Sequence, residues 1–222
     1  MSVGFDPAGL SVRIRAGEAS LGVIGLGYVG LPICLTAAEA GMRVVGFDID
    51  PSKPQRLARG ESYFRHIDQA RIRASVASGH FSATSDFGEL GRPDVLLICV
   101  PTPINAHLEP DLSFIVATGA AIAKRLRRGQ LVVLESTTYP GTTDEVLRPI
   151  LEQSGLVCGR DFLSRFRPSA RTPATPISRP RASPRSSAPT MRSHARRRWH
   201  SMTASSRARS RSARRGWPRR SN

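Results

Sequence analysis

Residues 20–30 read SLGVIGLGYVG, an apolar run that breaks into three glycines spaced G-x-G-x-x-G at Gly25, Gly27 and Gly30. A short aliphatic run ending in glycine is the pattern of a buried strand leaving a sheet. The next stretch, YVGLPICLTAAEAG, mixes small and apolar residues and closes on Gly41, as a helix does. A strand joined to a helix by so short a turn constrains this chain more than any other feature. Gly25 permits the tight turn, Gly27 keeps bulk off its outer side, and Gly30 lets helix and strand lie close. A second strand, RVVGFD, then ends in Asp48, 18 residues after Gly30.

The same alternation continues. PSKPQRLARG reads as a short helix capped by Ser52, with Pro54 in its first turn and Gly60 at its end. IDQARIRASVASG is a helix from Asp68 to Gly79, and HFSAT is a short strand. DVLLICV (Asp94–Val100) is continuously apolar, as a strand covered on both faces is. DLSFIVATGAAIAKRLRRG is a helix with Asp111 as N-cap and basic residues in its last turn, QLVVLES is a strand, and TTDEVLRPILEQSG is a helix interrupted by Pro149. Strand–helix repetition predicts an α/β fold: a Rossmann-like, doubly wound parallel sheet with right-handed crossovers. The glycine turn in this setting, with a carboxylate closing the second strand, points to a dinucleotide. The amides near Tyr28 and Val29 would face a pyrophosphate, and Asp48 would accept from the adenosine ribose hydroxyls. Asp48 also repels a 2′-phosphate, which favours NAD over NADP, while Lys53 softens that repulsion. Two further loops leave strand ends where such sheets bind ligands: CVPTP (Cys99–Pro103) and ESTTYPGTT (Glu135–Thr143). Their residues alone read equally as ligand loops or as ordinary turns.

Composition matters through its distribution. The net charge of +16 suggests a polyanionic partner. Yet residues 1–163 hold 16 Lys+Arg and all 17 Asp+Glu, whereas residues 164–222 hold 17 Arg and no Lys, Asp or Glu. A near-neutral domain therefore precedes an Arg/Ser/Pro-rich tail expected to be disordered. The division is an N-terminal extension (1–19), a dinucleotide-binding domain (20–163) and a basic tail (164–222). Cys34, Cys99 and Cys158 are too widely spaced for a disulfide framework or metal cluster, so no metal is expected. No apolar run approaches the roughly 18 residues of a membrane span, and a cytoplasmic protein with no membrane partner is expected.

GLGYVGLP, GFDID, ICVPTP, EPDLS and LVVLESTTYPGTT together resemble the nucleotide-sugar 6-dehydrogenases, the UDP-glucose/GDP-mannose dehydrogenase family, over about residues 20–162. The wording of NAHLEPDLS and ESTTYPGTT is most similar to the bacterial UDP-N-acetylglucosamine and UDP-N-acetylmannosamine branch, with UDP-glucose 6-dehydrogenase the alternative. The resemblance implies oxidation of a UDP-sugar C6 alcohol to a carboxylate with two NAD⁺, through a cysteine thiohemiacetal and a thioester that water hydrolyses. It implies that Gly25, Gly27, Tyr28, Val29, Gly30, Asp48 and Lys53 hold the adenosine diphosphate part of NAD. Thr102, Ser136 and Thr137 would lie toward the nicotinamide, with Thr137 also positioning the hydrolytic water. The intact family is homodimeric.

The family continues with S-P-E-R, K-L-T-E-N and a G-x-C-x-x-x-D loop that bring its catalytic glutamate, lysine and cysteine. None of these strings occurs here, nor do the dimerisation helix and UDP-binding domain. Read one base out of frame with GC-rich codons, PSARTP gives E-R-E-D-P, ASPRSSAPTM gives I-P-K-V-V-G-A-D-D, and RGWPRRSN gives R-V-A-E-A-V-K. These are family strings in family order. The tail is therefore expected to be the next family segment translated out of frame from about Phe162–Leu163, with a shifted TGA stop after Asn222. A chain retaining only NAD binding is the expectation. The contrasting class is a non-catalytic protein that binds RNA or other polyanions through the arginines. Phe166, Trp199 and Trp217 supply few aromatics for a base-stacking platform.

Overall fold

The structure, a computed structural model, describes residues 6–103, 110–136, 138 and 141–168, with Ser136 and Pro168 described by their backbone alone. Six parallel strands form one sheet: β1 (Leu21–Ile24), β2 (Val44–Phe47), β3 (Phe81–Thr84), β4 (Val95–Ile98), β5 (Leu131–Ser136) and β6 (Leu163–Pro168). Their order across the sheet is β3-β2-β1-β4-β5-β6. The chain thus winds outward from β1 in one direction, then returns beside β1 with β4 and winds outward in the other. Register is in step across the centre, with Leu21 opposite both Val44 and Val95. This is the doubly wound arrangement that the alternating sequence predicts, and its switch point lies between β1 and β4.

Both faces are covered, which is why the strands are apolar without alternation. Leu21, Val23, Val44, Val95, Leu97 and Val133 meet α1 (Pro7–Ala16), α2 (Gly30–Glu39) and α4 (Gln69–Ala77) through Leu10, Ile14, Leu31, Leu35 and Ile72. On the opposite face, Ile24, Phe47, Leu96, Ile98, Val132 and Leu134 meet α5 (Ser113–Ala123) and α6 (Arg148–Glu152) through Ile115, Ile122 and Leu151. Cys34 and Cys99 are buried in the first of these layers, as their apolar surroundings predict.

Several helix ends differ from their sequence readings. Helix α1 lies within the N-terminal extension, residues 1–19. Asp6 caps it by accepting the Ala8 amide, Gly17 closes it at φ 77°, and Leu10 and Ile14 face the core. In α3 (Ser52–Ala58) the N-cap is Pro51, without a side-chain cap bond, and Asp50 just outside it accepts from both the amide and the hydroxyl of Ser52. Helix α5 ends at Ala123, before the basic run, and Asp111 accepts the Ser113 amide at 2.8 Å from one residue outside the N-cap Leu112. A π turn (Thr143–Leu147) precedes α6 because Pro149 supplies no N–H and its ring crowds the preceding turn. Strand β6 was not read as a strand, and it runs beyond residue 163, where the sequence reading ends the domain. Residues 169–222, most of the arginine tail, lie outside the described residues.

At the edge of the sheet where the strands begin, Asp94 ties three parts of the chain together. Its carboxylate accepts from Arg13 at 2.7 Å, from the amide and hydroxyl of Ser20 at 2.9 Å each, and from Arg127 at 3.0 Å. Arg127 also donates to the Gly91 carbonyl at 2.6 Å. Burial alone would push the Asp94 carboxyl up. The donors of Ser20, Arg127 and Arg13 outweigh it and hold the pKa below the ordinary value. A depressed carboxyl stabilises the fold fully above its unfolded pKa of about 3.9, and that contribution is lost as pH falls through the lower folded value. Asp94→Asn is therefore expected to cost about 1.5–3 kcal/mol at neutral pH. Denaturant melts over a pH series should show the gap to wild type closing below about pH 4.

Candidate dinucleotide site

The glycine turn sits where β1 meets α2, and its backbone is held before any ligand is considered. The Gly25 amide donates to the Phe47 carbonyl at 2.8 Å, and the Leu31 amide donates to the Gly27 carbonyl at 3.2 Å as the first bond of the helix. Gly25 has φ 94°, and a Cβ there would stand 2.6 Å from the Cys99 carbonyl oxygen of the neighbouring strand exit. A Cβ on Gly30 would collide with the carbonyl oxygen of Gly25, and it would also press on Val23 at 3.2 Å. A Cβ on Gly27 would meet nothing within 4 Å. Two glycines are thus required by packing, and the middle one is left facing open space.

That open space is a cavity of about 600 Å³ at the switch point. Gly25, Gly27, Tyr28 and Val29 line it from the turn, Asp48, Ile49, Asp50 and Lys53 from the end of β2 and the start of α3. Cys99–Thr102 line it from the exit of β4, Phe114 and Thr118 from α5, and Glu135 from the end of β5. Gly30 supports the turn from beneath. Thr102 stands in the wall of the cavity. Ser136 is placed only by its backbone at the end of β5, and Thr137 lies outside the described residues. No group of three or more His, Cys, Asp or Glu able to hold a metal occurs among the described residues. Among them, too, no helix is long and apolar enough to cross a membrane.

Asp48 is 6% exposed. Its Oδ2 accepts the Leu26 amide at 2.9 Å and the Lys53 ammonium at 2.8 Å, and its Oδ1 accepts the Asp50 amide at 3.0 Å. The carboxylate therefore fastens the glycine turn to β2 and is neutralised by a cation from α3. Sequence reasoning missed Tyr63. Its hydroxyl donates to the Leu26 carbonyl at 2.7 Å, so the peptides on both sides of Leu26 are fixed. Burial, with the nearby charge of Asp48, pushes the Tyr63 phenol well above its ordinary pKa, so it remains a donor. Beside it, Phe64 packs on the exposed Tyr28 ring at 4.4 Å, and His66 stacks on the same ring at 5.6 Å. The SYFRH stretch carried no periodic or spacing signal, since its contacts with the turn exist only in three dimensions.

Residues 19–168 match the UDP-glucose/GDP-mannose dehydrogenase family, NAD binding domain. The chain belongs to this family. UDP-N-acetyl-D-glucosamine 6-dehydrogenase of Pseudomonas aeruginosa is 37% identical over 159 residues, which cover 70% of this chain and 36% of the relative. The structure of a UDP-D-ManNAc dehydrogenase from Pyrococcus horikoshii superposes with TM-score 0.64 at 33% identity, over 69% of this chain and 37% of the other. An NDP-N-acetyl-D-galactosaminuronic acid dehydrogenase from Methanosarcina mazei superposes with TM-score 0.67 at 32% identity, over 76% and 38%. The chain thus spans little more than a third of the length of these relatives. Within the UDP-glucose/GDP-mannose dehydrogenase family this segment is the NAD-binding domain, and the cavity suits that cofactor: a glycine cradle that a Cβ would fill, at a helix start, beside a strand-end carboxylate.

The glycine geometry separates folding from binding. Gly30→Ala should cost about 3 kcal/mol, because a methyl group there meets backbone that cannot yield. Gly27→Ala should change stability by less than about 0.5 kcal/mol, because its methyl group enters open space. Thermal melts of the two variants without ligand check both expectations.

Proposed function

We propose that this chain is the NAD-holding portion of a nucleotide-sugar 6-dehydrogenase of the UDP-N-acetylhexosamine type, and that it retains cofactor binding without turnover. The observation that carries the reading is the asymmetry of the turn, in which Gly25 and Gly30 are closed by protein and Gly27 is open to the cavity. In this reading the amides of Gly27, Tyr28 and Val29 donate to the pyrophosphate at the start of α2. The ribose hydroxyls donate to Asp48 beside Lys53, and the adenine lies against Ile49, which is 78% exposed at the mouth. By resemblance to the family, Thr102, Ser136 and Thr137 would serve the nicotinamide end, and Thr137 would hold the hydrolytic water in the intact enzyme. When bound, NAD⁺ supplies the hydride acceptor for alcohol oxidation. The names of the relatives favour a UDP-N-acetylhexosamine over UDP-glucose as the substrate of the intact enzyme.

NAD⁺ should bind with an affinity that calorimetry can measure. Asp48→Ala should weaken binding by about 1.5–3 kcal/mol, the size of hydrogen bonds to a charged acceptor. Gly27→Ala should weaken it while melting like wild type. Equal affinity in all three proteins would remove the assignment.

The absence of turnover follows from chemistry that these residues do not supply. Covalent oxidation of an aldehyde needs a positioned thiolate with groups that activate it. Cys34 and Cys99 are buried, and burial pushes the Cys34 thiol far above its ordinary pKa. We propose further that the acid-free stretch is the next family segment in a shifted frame. Support comes from the charge break after residue 163. The chain as it stands should form no NADH from UDP-GlcNAc, UDP-ManNAc or UDP-glucose. Restoring one base near codons 162–163 should open a frame encoding K-L-T-E-N and G-x-C-x-x-x-D, and its product should form NADH. Coding DNA without that frame would favour the arginines as a polyanion-binding feature in their own right, and binding of RNA that survives moderate salt would then be expected.

A further inference from the structure

A carboxylate at the end of β2 is ordinarily given two tasks, accepting the ribose hydroxyls and repelling a 2′-phosphate. The geometry divides them between two residues. Asp48 already receives the Lys53 ammonium at 2.8 Å, and its side chain is 8% exposed. Its charge is compensated by a whole cation before a ligand enters, and that ammonium keeps two further N–H donors. Asp50, two residues on, is exposed, lines the same cavity and forms no ion pair among the described residues. Its Oδ1 accepts the Ser52 hydroxyl at 2.7 Å and the Ser52 amide at 3.0 Å. Those two bonds hold its carboxyl below the ordinary range, so it is ionised at neutral pH.

Three charges therefore surround the ribose end: Asp48, Lys53 and Asp50. The first two cancel at contact distance, and the remaining negative charge belongs to Asp50. We propose that Asp50, rather than Asp48, is the residue that makes this site reject a 2′-phosphorylated dinucleotide, and that Lys53 acts in the opposite sense. The proposal rests on the reading of the cavity as a dinucleotide site. Asp48 is left with the hydroxyls and with the Leu26 amide that it anchors. Asp50 sets the field that an additional phosphate must enter, and without it the pair Asp48–Lys53 presents an ammonium with donors to spare.

Calorimetry with NAD⁺ and NADP⁺ on the full chain tests this, using wild type, Asp50→Asn, Lys53→Gln and Asp48→Asn. The arginines beyond residue 163 are common to all four proteins and cancel when the ratio of the two affinities is compared between wild type and variant. Asparagine at 50 keeps an acceptor for the Ser52 amide, so the start of α3 is preserved. Asp50→Asn should tighten NADP⁺ about tenfold, the size of one carboxylate acting on one phosphate across several ångströms of water. NAD⁺ should change less than about threefold, and the NADP⁺ gain should shrink as salt is raised. Lys53→Gln should shift the ratio toward NAD⁺, and Asp48→Asn should weaken both dinucleotides. A ratio unmoved by Asp50→Asn, or moved equally by Asp48→Asn through tighter NADP⁺, would overturn the proposal and leave the cofactor reading standing. Wild type that binds neither dinucleotide would overturn both.

Discussion

The site depends on how the backbone around Leu26 is fixed. Asp48 takes the amide of Leu26 and Tyr63 supplies a proton to its carbonyl, so the turn is clamped between the end of β2 and the loop after α3. Leu26 itself is fully buried. With that residue anchored, the direction of the amides that follow, from Gly27 into the start of α2, is set by packing rather than by a ligand. A cradle of N–H groups arranged in advance loses little order when an anion arrives, and this makes a short glycine turn an effective phosphate site.

The two ends of the sheet use carboxylates in opposite ways. Where the strands begin, Asp94 is saturated by Arg13, Ser20 and Arg127, and it stitches α1, β1, β4 and the approach to β5 into one unit. Where the strands end, Asp48 is held by donors on one side and borders the cavity on the other. A buried carboxylate is tolerated only when hydrogen-bonded, and both satisfy that rule. The two are buried to a similar degree, and they differ in that Asp48 also lines the cavity.

Much of this was legible in the sequence because it rests on local rules. Continuous apolar strands, glycine at helix ends and a strand–turn–helix with G-x-G-x-x-G specified the doubly wound sheet, and the same glycines with Asp48 marked the cavity. Contacts between distant segments were not legible. Tyr63 reaching Leu26, Arg127 reaching Asp94 and the apolar face of α1 each depend on how elements meet. Helix starts were half legible: the sequence announced one near Ser52, but the N-cap is Pro51, and Asp50 outside it accepts the Ser52 amide. Lys53 is legible as a nearby cation, but its ion pair with Asp48 requires the distance.

Strand β6 shows how little an edge strand asks of its sequence. Leu163–Pro168 pairs with β5 in continuous register through backbone groups, which any residue but proline can donate. Side chains enter only by alternation. Phe166 packs against the α5–α6 layer, while Arg165 is exposed and Arg167 approaches the buried Glu135 at 3.9 Å. These residues satisfy a strand's few demands: apolar Phe162 before it, an apolar ring on the covered face, charge on the other. Among the described residues β6 is an edge of the sheet, and arginine and proline there discourage pairing with a further chain. A change of sequence at this edge is therefore absorbed by backbone pairing, whereas the same change within β1 or β4, buried on both faces, would remove the core.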